Sequence, residues 1–181
     1  MKWIVLLAML VAPVFAGLPH AHASLVRAME LAELTAAAEQ IVVADIARVE
    51  SQWDEAHRTI HSIVELRVRE SWKGNPPADG KMVLRQPGGS VGEIEMTVLG
   101  MATFSAGERA LLFLDHGIVV GLGQGKRSLR WDEPSKRWLI DPPDASSTVR
   151  INGRGRIRAA QATPTETLDD LRAKVRALLQ K

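Results

Sequence analysis

His57 and His61 stand four residues apart, with Asp54 and Glu55 just upstream. On a helix this spacing brings both rings to one face, within reach of a single zinc ion. On a strand, four residues span roughly 13 Å, too far for one ion without a bend. The alternation beginning at Arg58 puts His61 on a strand and His57 at its mouth. The expectation is therefore two solvent-facing histidines, with Asp54, His57 and His61 as the candidate metal set. No resident metal or cofactor is expected.

Gly88-Gly89-Ser90-Val91-Gly92 matches the G-x-S-x-G pattern of a hydrolase nucleophile. That pattern needs a strand, a strained turn and a helix, with an acid and a histidine downstream. Here an alternating strand pattern follows Ser90, and His116, beside Asp115, is the one histidine downstream. The segment reads as a glycine-rich loop between strands. Gly121-Leu122-Gly123-Gln124-Gly125 lacks both the spacing and the helix of a dinucleotide fingerprint. No phosphate loop or paired carboxylates stand out. No catalytic residue is assigned, and the chain is expected not to be an enzyme.

Binding chemistry is better supplied. Arg150, Arg154, Arg156 and Arg158 form a basic stretch suited to phosphate or an acidic polymer. It lacks the interleaved aromatics that stack bases, so nucleic acid is not an expected partner. Trp53, Trp72, Trp131 and Trp138 are the aromatics that could line a binding face, and core or rim packing is their default role. Trp72 is the first choice for the core. The candidate binding residues are Trp53, Trp131, Trp138, Arg154 and Arg156.

The rest of the chain must position these groups. It has 181 residues, a net charge of +2, no Cys and no Tyr, so disulfides, thiolate metal sites and a Cys nucleophile are excluded. At 46% hydrophobic and 24% charged, its composition is that of a folded globular chain. Lys2 and the apolar run from Trp3 to Ala12 precede Pro13, and Ala21-His22-Ala23 offers small residues at a cleavage site. This is the pattern of a secretory signal peptide cut between Ala23 and Ser24, with Ala16 as an alternative cut. The expected product is exported to the periplasm or beyond, with no membrane span after removal of the signal.

Ser24 to Gln40 is rich in helix formers. Ile41 to Val49 is β-branched and reads as a strand. Ile60, Val64, Leu66 and Val68 keep one parity, interrupted at Ser62, while His61, Glu65, Arg67 and Arg69 take the other, with Ile63. That is a half-buried strand. Further strands are expected at 81–86, 94–99 and 110–114. Residues 126–131 and 136–140 read as a hairpin, with Trp131 and Trp138 able to pair across it. Residues 141–163 read as a linker with a basic segment. Thr165 or Thr167 can cap a final amphipathic helix within 164–181, its apolar face carrying Leu168, Leu171, Val175, Leu178 and Leu179.

The motif order is Ala38-Glu39-Gln40-Ile41-Val42-Val43-Ala44, Glu70-Ser71-Trp72-Lys73-Gly74, Gln86-Pro87-Gly88-Gly89, Phe104-Ser105-Ala106-Gly107-Glu108, Leu111-Leu112-Phe113-Leu114 and Gly121-Leu122-Gly123-Gln124-Gly125-Lys126. It resembles a widespread set of uncharacterised bacterial secreted proteins. More distantly, it is similar to the netrin-like domain of tissue inhibitors of metalloproteinases. The resemblance covers roughly residues 30–130. It implies a mainly β fold, a small closed OB-like barrel spanning 24–140, with an N-terminal and a C-terminal helix. Those inhibitors place an N-terminal cysteine on the protease zinc, and this chain has none.

Three functions follow as expectations. The first is an exported, non-enzymatic binding module whose partner is a protein or an envelope polymer. The second is a metal-binding protein or metal-dependent enzyme built on His57 and His61. The third is a structural envelope component docking through its C-terminal helix.

Overall fold

The structure, a computed structural model, describes residues 27–141, 150–151, 157–158 and 166–180. The expected cleavage site at Ala23 and Ser24, and Arg154 and Arg156 of the basic segment, lie outside the described residues.

The leading helix is shorter than its composition suggests. Helix α1 spans Leu31–Ala37. The chain before it is held extended by the buried Gln124, whose side chain accepts the Met29 N–H at 2.7 Å and donates to the Arg27 carbonyl at 3.0 Å. The Glu33 carboxylate accepts the Glu30 N–H at 2.8 Å, satisfying a donor at the helix start. At the other end, Lys73 Nζ donates to the carbonyls of Thr35 and Ala38 at 2.9 and 2.5 Å. Gly74 follows at φ +75°, where a Cβ would lie 2.8 Å from the Glu39 carbonyl. The Trp-Lys-Gly motif therefore works as a helix terminator.

Two fourteen-residue strands, β1 (Gln40–Trp53) and β2 (Ile60–Lys73), form the long antiparallel spine. Strand β3 (Lys81–Pro87) flanks β2. The glycine-rich segment expected as a loop is instead a small hairpin of β4 (Gly89–Val91) and β5 (Ile94–Met96), turning at Gly92-Glu93. Gly92 at φ +62° permits the turn that two-residue hairpins need. Strand β6 (Arg109–Asp115) lies against β1 and carries β7 (Ile118–Val119) across a tight turn. Strands β8 (Lys126–Asp132) and β9 (Arg137–Ile140) form the expected hairpin, with Trp131 opposite Trp138. The short strands β10 (Arg150–Ile151) and β11 (Ile157–Arg158) pair with each other. Helix α2 spans Leu168–Leu179, and the Thr167 hydroxyl accepts the Asp170 N–H at 3.1 Å.

The main sheet has the order β3-β2-β1-β6-β8-β9, with β7 attached to β6. It is not closed into a barrel, which corrects the closed OB-like architecture expected from the motifs. Each edge strand meets an irregular segment. Outside β9, the chain entering α2 bridges Leu139 to Thr167, and Ile140 N–H donates to the Glu166 carbonyl at 2.9 Å. Beside β3, Gln86 Nε2 donates to the Ala102 carbonyl at 2.6 Å in an irregular segment.

Two cores lie on the two faces of this sheet. Ile41, Val43, Leu111, Phe113, Leu129 and Ile140 face α1 and α2, where Leu34, Leu168, Leu171 and Val175 meet them. The intervening residues Val42, Ala44, Ile46, Ala110, Leu112 and Leu114 face the opposite side with Val64, Leu66 and Leu84. Central strands buried on both faces read as continuous apolar runs, as β1 and β6 do. Burying Phe113 fully contributes about 1.5–3 kcal/mol. Because α2 belongs to the first core, it is part of the domain that it was expected to dock on. Leu179, counted on its apolar face, is exposed.

Candidate functional site

The helices cover only part of their side of the sheet. Beyond Val43 the same parity of β1 continues with Asp45, whose cross-strand partners are Arg67 on β2 and Arg109 on β6. Leu129 opposes Arg109, and two residues farther along β8 stands Trp131, opposite Trp138. A strand keeps one face every second residue. These residues therefore share the face that holds α1 and α2, on the part that no helix among the described residues covers.

Asp45, Ala47, Arg67, Arg69, Arg109 and Trp138 line an open groove of about 360 Å³ there. Its centre is one carboxylate. Asp45 accepts Arg109 Nε at 2.5 Å and Arg109 Nη2 at 3.1 Å, and it accepts Arg69 Nε at 2.7 Å. The hydrogen bond from Arg109, and then that from Arg69, hold its carboxyl below the usual aspartate range against the opposing effect of partial burial. The Arg109 guanidinium also lies 4.4 Å from the centre of the Trp138 ring, and Trp131 stands 5.4 Å from Trp138 at a tilt of 60°. Trp131 is 43% exposed, so one indole of the pair meets solvent.

The charge does not balance. Arg67, Arg69 and Arg109 line the groove around Asp45, and Arg67 makes no ion pair among the described residues. Both arginines on Asp45 are engaged through Nε. The Nη1 group of Arg109 and both Nη groups of Arg69 then have no acceptor among the described residues. Guanidinium edges held in this way suit a planar or tetrahedral oxyanion, and holding them in advance lowers the ordering cost of binding.

The histidine pair is arranged differently. His57 sits at φ +51° in the β1–β2 turn, its ring 6.1 Å from Trp53. The Asp54 carboxylate shapes that turn by accepting the Arg58 N–H at 2.7 Å. His61 is on β2, with Nδ1 buried and unpaired. Asp54, His57 and His61 do not converge. The three potential ligands that do converge among the described residues are Glu39, Asp115 and His116, within 4.8 Å of one another and all exposed. They already satisfy each other: His116 Nδ1 lies 2.9 Å from Asp115 Oδ1, and the His116 N–H donates to Glu39 at 3.3 Å. Asp115, and behind it Glu39, raise the His116 pKa.

Ser90 lies in mid-strand on β4, opposite Glu95, and no helix follows it. Among the described residues, no serine or threonine hydroxyl is hydrogen-bonded to a histidine. Trp53 lies eight residues along β1 from Asp45, roughly 27 Å in an extended strand, and takes no part in the groove. Trp72 is half-buried against the helical core, with Arg172 stacked 5.6 Å from its ring.

Of the expected binding residues, Trp138 and Trp131 are thus placed at or beside the groove. Asp45, Arg67, Arg69 and Arg109 were not anticipated. Their signals were the single charge inside Ile41–Ile46 and the outward parity shared by Arg67 and Arg69. No protein-family model, curated protein or solved structure matches this chain. The groove is read from its own chemistry.

Proposed function

We propose that the chain is an exported, non-enzymatic binding module that holds an anionic ligand in the Asp45–Arg67–Arg69–Arg109–Trp138 groove. The observation that carries this reading is the gathering of three guanidinium groups around one carboxylate, on the half of the sheet that the helices leave bare. The export pattern of residues 1–23 supports an envelope polymer as the partner, and the resemblance of the motif order to netrin-like domains supports binding as the role. No helix among the described residues is long and apolar enough to cross a membrane.

The test is calorimetric titration with polyphosphate, a simple anionic probe, of the wild-type chain and of an R67Q/R69Q variant. Saturable binding that weakens with added salt and falls about tenfold or more in the variant is expected. Equal affinity of the two proteins would remove the groove from the account.

A further inference from the structure

Outside the groove, the start of β1 and the end of β6 bring together Glu39, Asp115 and His116. Their backbone is fixed. Glu39 N–H donates to the Leu114 carbonyl at 2.8 Å, which carries the β1–β6 ladder past Gln40 and holds Glu39 beside the end of β6. Asp115 pairs with Ile118 across the turn His116-Gly117, where His116 takes φ +47° and Gly117 φ +75°. Two-residue hairpin turns with both central residues at positive φ favour asparagine or glycine there. Here the first of the two is an imidazole, and it stands against two carboxylates. The charge at this point is uneven. Among the described residues, neither Glu39 nor Asp115 forms an ion pair with a lysine or an arginine. The one basic side chain paired with either is His116, its Nδ1 2.9 Å from Asp115 Oδ1.

We infer that Glu39, Asp115 and His116 form a site for a divalent transition-metal cation, with zinc as its first occupant. An imidazole nitrogen suits Zn²⁺ and its neighbours, whereas Mg²⁺ and Ca²⁺ take oxygen ligands. One nitrogen and two carboxylates make a three-ligand set that leaves a further position to water. Zinc bonds of about 2.0–2.2 Å put ligand atoms roughly 3–4 Å apart. The three donors already lie within 4.8 Å of one another, and exposed side chains close the difference by small rotations. The present hydrogen bonds leave the site open to a cation. The His116 N–H takes one Glu39 oxygen, Oε2. The proton between His116 Nδ1 and Asp115 passes to solvent when a cation takes its place.

The experiment titrates the untagged full chain with zinc chloride, and separately with magnesium chloride, by calorimetry. The proteins are wild type, E39Q, H116N and H20Q/H22Q/H57N/H61Q, which keeps His116 as its one histidine. Each is checked for an unchanged melting transition. Glu39→Gln retains an acceptor for the His116 N–H, and asparagine suits the positive φ of residue 116, so both variants should fold like wild type. Zinc should bind wild type saturably, and magnesium should not. Zinc affinity should fall about tenfold or more in E39Q and in H116N, and should persist in the variant with His116 alone. Zinc affinity unchanged in E39Q or in H116N would mark the binding as adventitious and overturn the assignment. So would loss of binding in a folded variant with His116 alone, or the absence of saturable zinc binding by wild type. Magnesium binding as tight as zinc would overturn the choice of a transition-metal cation.

Discussion

Strand β1 serves two surfaces along its length. From Ile41 to Ala44 it is buried on both faces, between the helices and the second core. From Asp45 onward no helix among the described residues covers its outer face, and a register shift between Ile46 and Arg48 changes which residues face outward. The covered stretch is uniformly apolar. The bare stretch begins with the carboxylate that organises the groove. The contrast separates two kinds of work on one strand: apolar burial that sets stability, and a constrained charge cluster whose removal should cost little stability and most of the binding.

The largest effect should come from the covered half. Phe113→Ala should lower unfolding free energy by about 3–5 kcal/mol, measured by chemical denaturation, because its ring is fully buried between β1 and the helices. Leu171→Ala should cost about 2–5 kcal/mol, since α2 completes that core. A loss within about 0.5 kcal/mol would instead make α2 an appendage, the behaviour expected of a surface site.

How much of this division the sequence reveals depends on how local each feature is. The alternation of β2, the Trp131–Trp138 hairpin and the Thr167 cap are short-range patterns, and each reappears in the structure. The full length of β1 was not visible, because beyond Val49 its residues are polar and are held by pairing with β2. The shortened α1 depends on Gln124, which is far away in sequence. The contacts at the sheet edges come from chain segments outside the strands they meet, such as Glu166 against Ile140. The groove was hidden for the same reason. It draws on β1, β2, β6 and β9, and only the tryptophan pair was a local signal.

On the bare half the expected stability effects are small. Asp45→Asn should cost about 1 kcal/mol at neutral pH, a value limited by solvent screening. The carboxyl of Asp45 is held below its ordinary range by Arg109 and Arg69 in the folded chain. Its contribution is therefore complete above the ordinary aspartate range near pH 4 and is lost as pH falls through the lower folded-state value. Denaturation curves of wild type and Asp45→Asn should thus converge on acidification; a gap that widens would reverse the assignment. The same substitution removes one negative charge, yet should weaken anion binding, because the guanidinium groups lose their anchor. A similar or smaller effect, about 0.5–1 kcal/mol from the lost cross-strand pair with Trp138, is expected for Trp131→Ala in the same assay.

The most direct test follows backbone amide and indole N–H resonances of the labelled chain during titration with polyphosphate. The chain has five tryptophans, so the Trp138 indole is a separate reporter inside the groove and the Trp53 and Trp72 indoles are reporters outside it. Shifts should concentrate at Asp45, Arg67, Arg69, Arg109 and the Trp138 indole, leaving α1, α2 and the Trp53 indole unmoved. Saturable shifts centred on the helices or on the β1–β2 turn, with the groove silent, would contradict the division of the sheet into a folding half and a binding half.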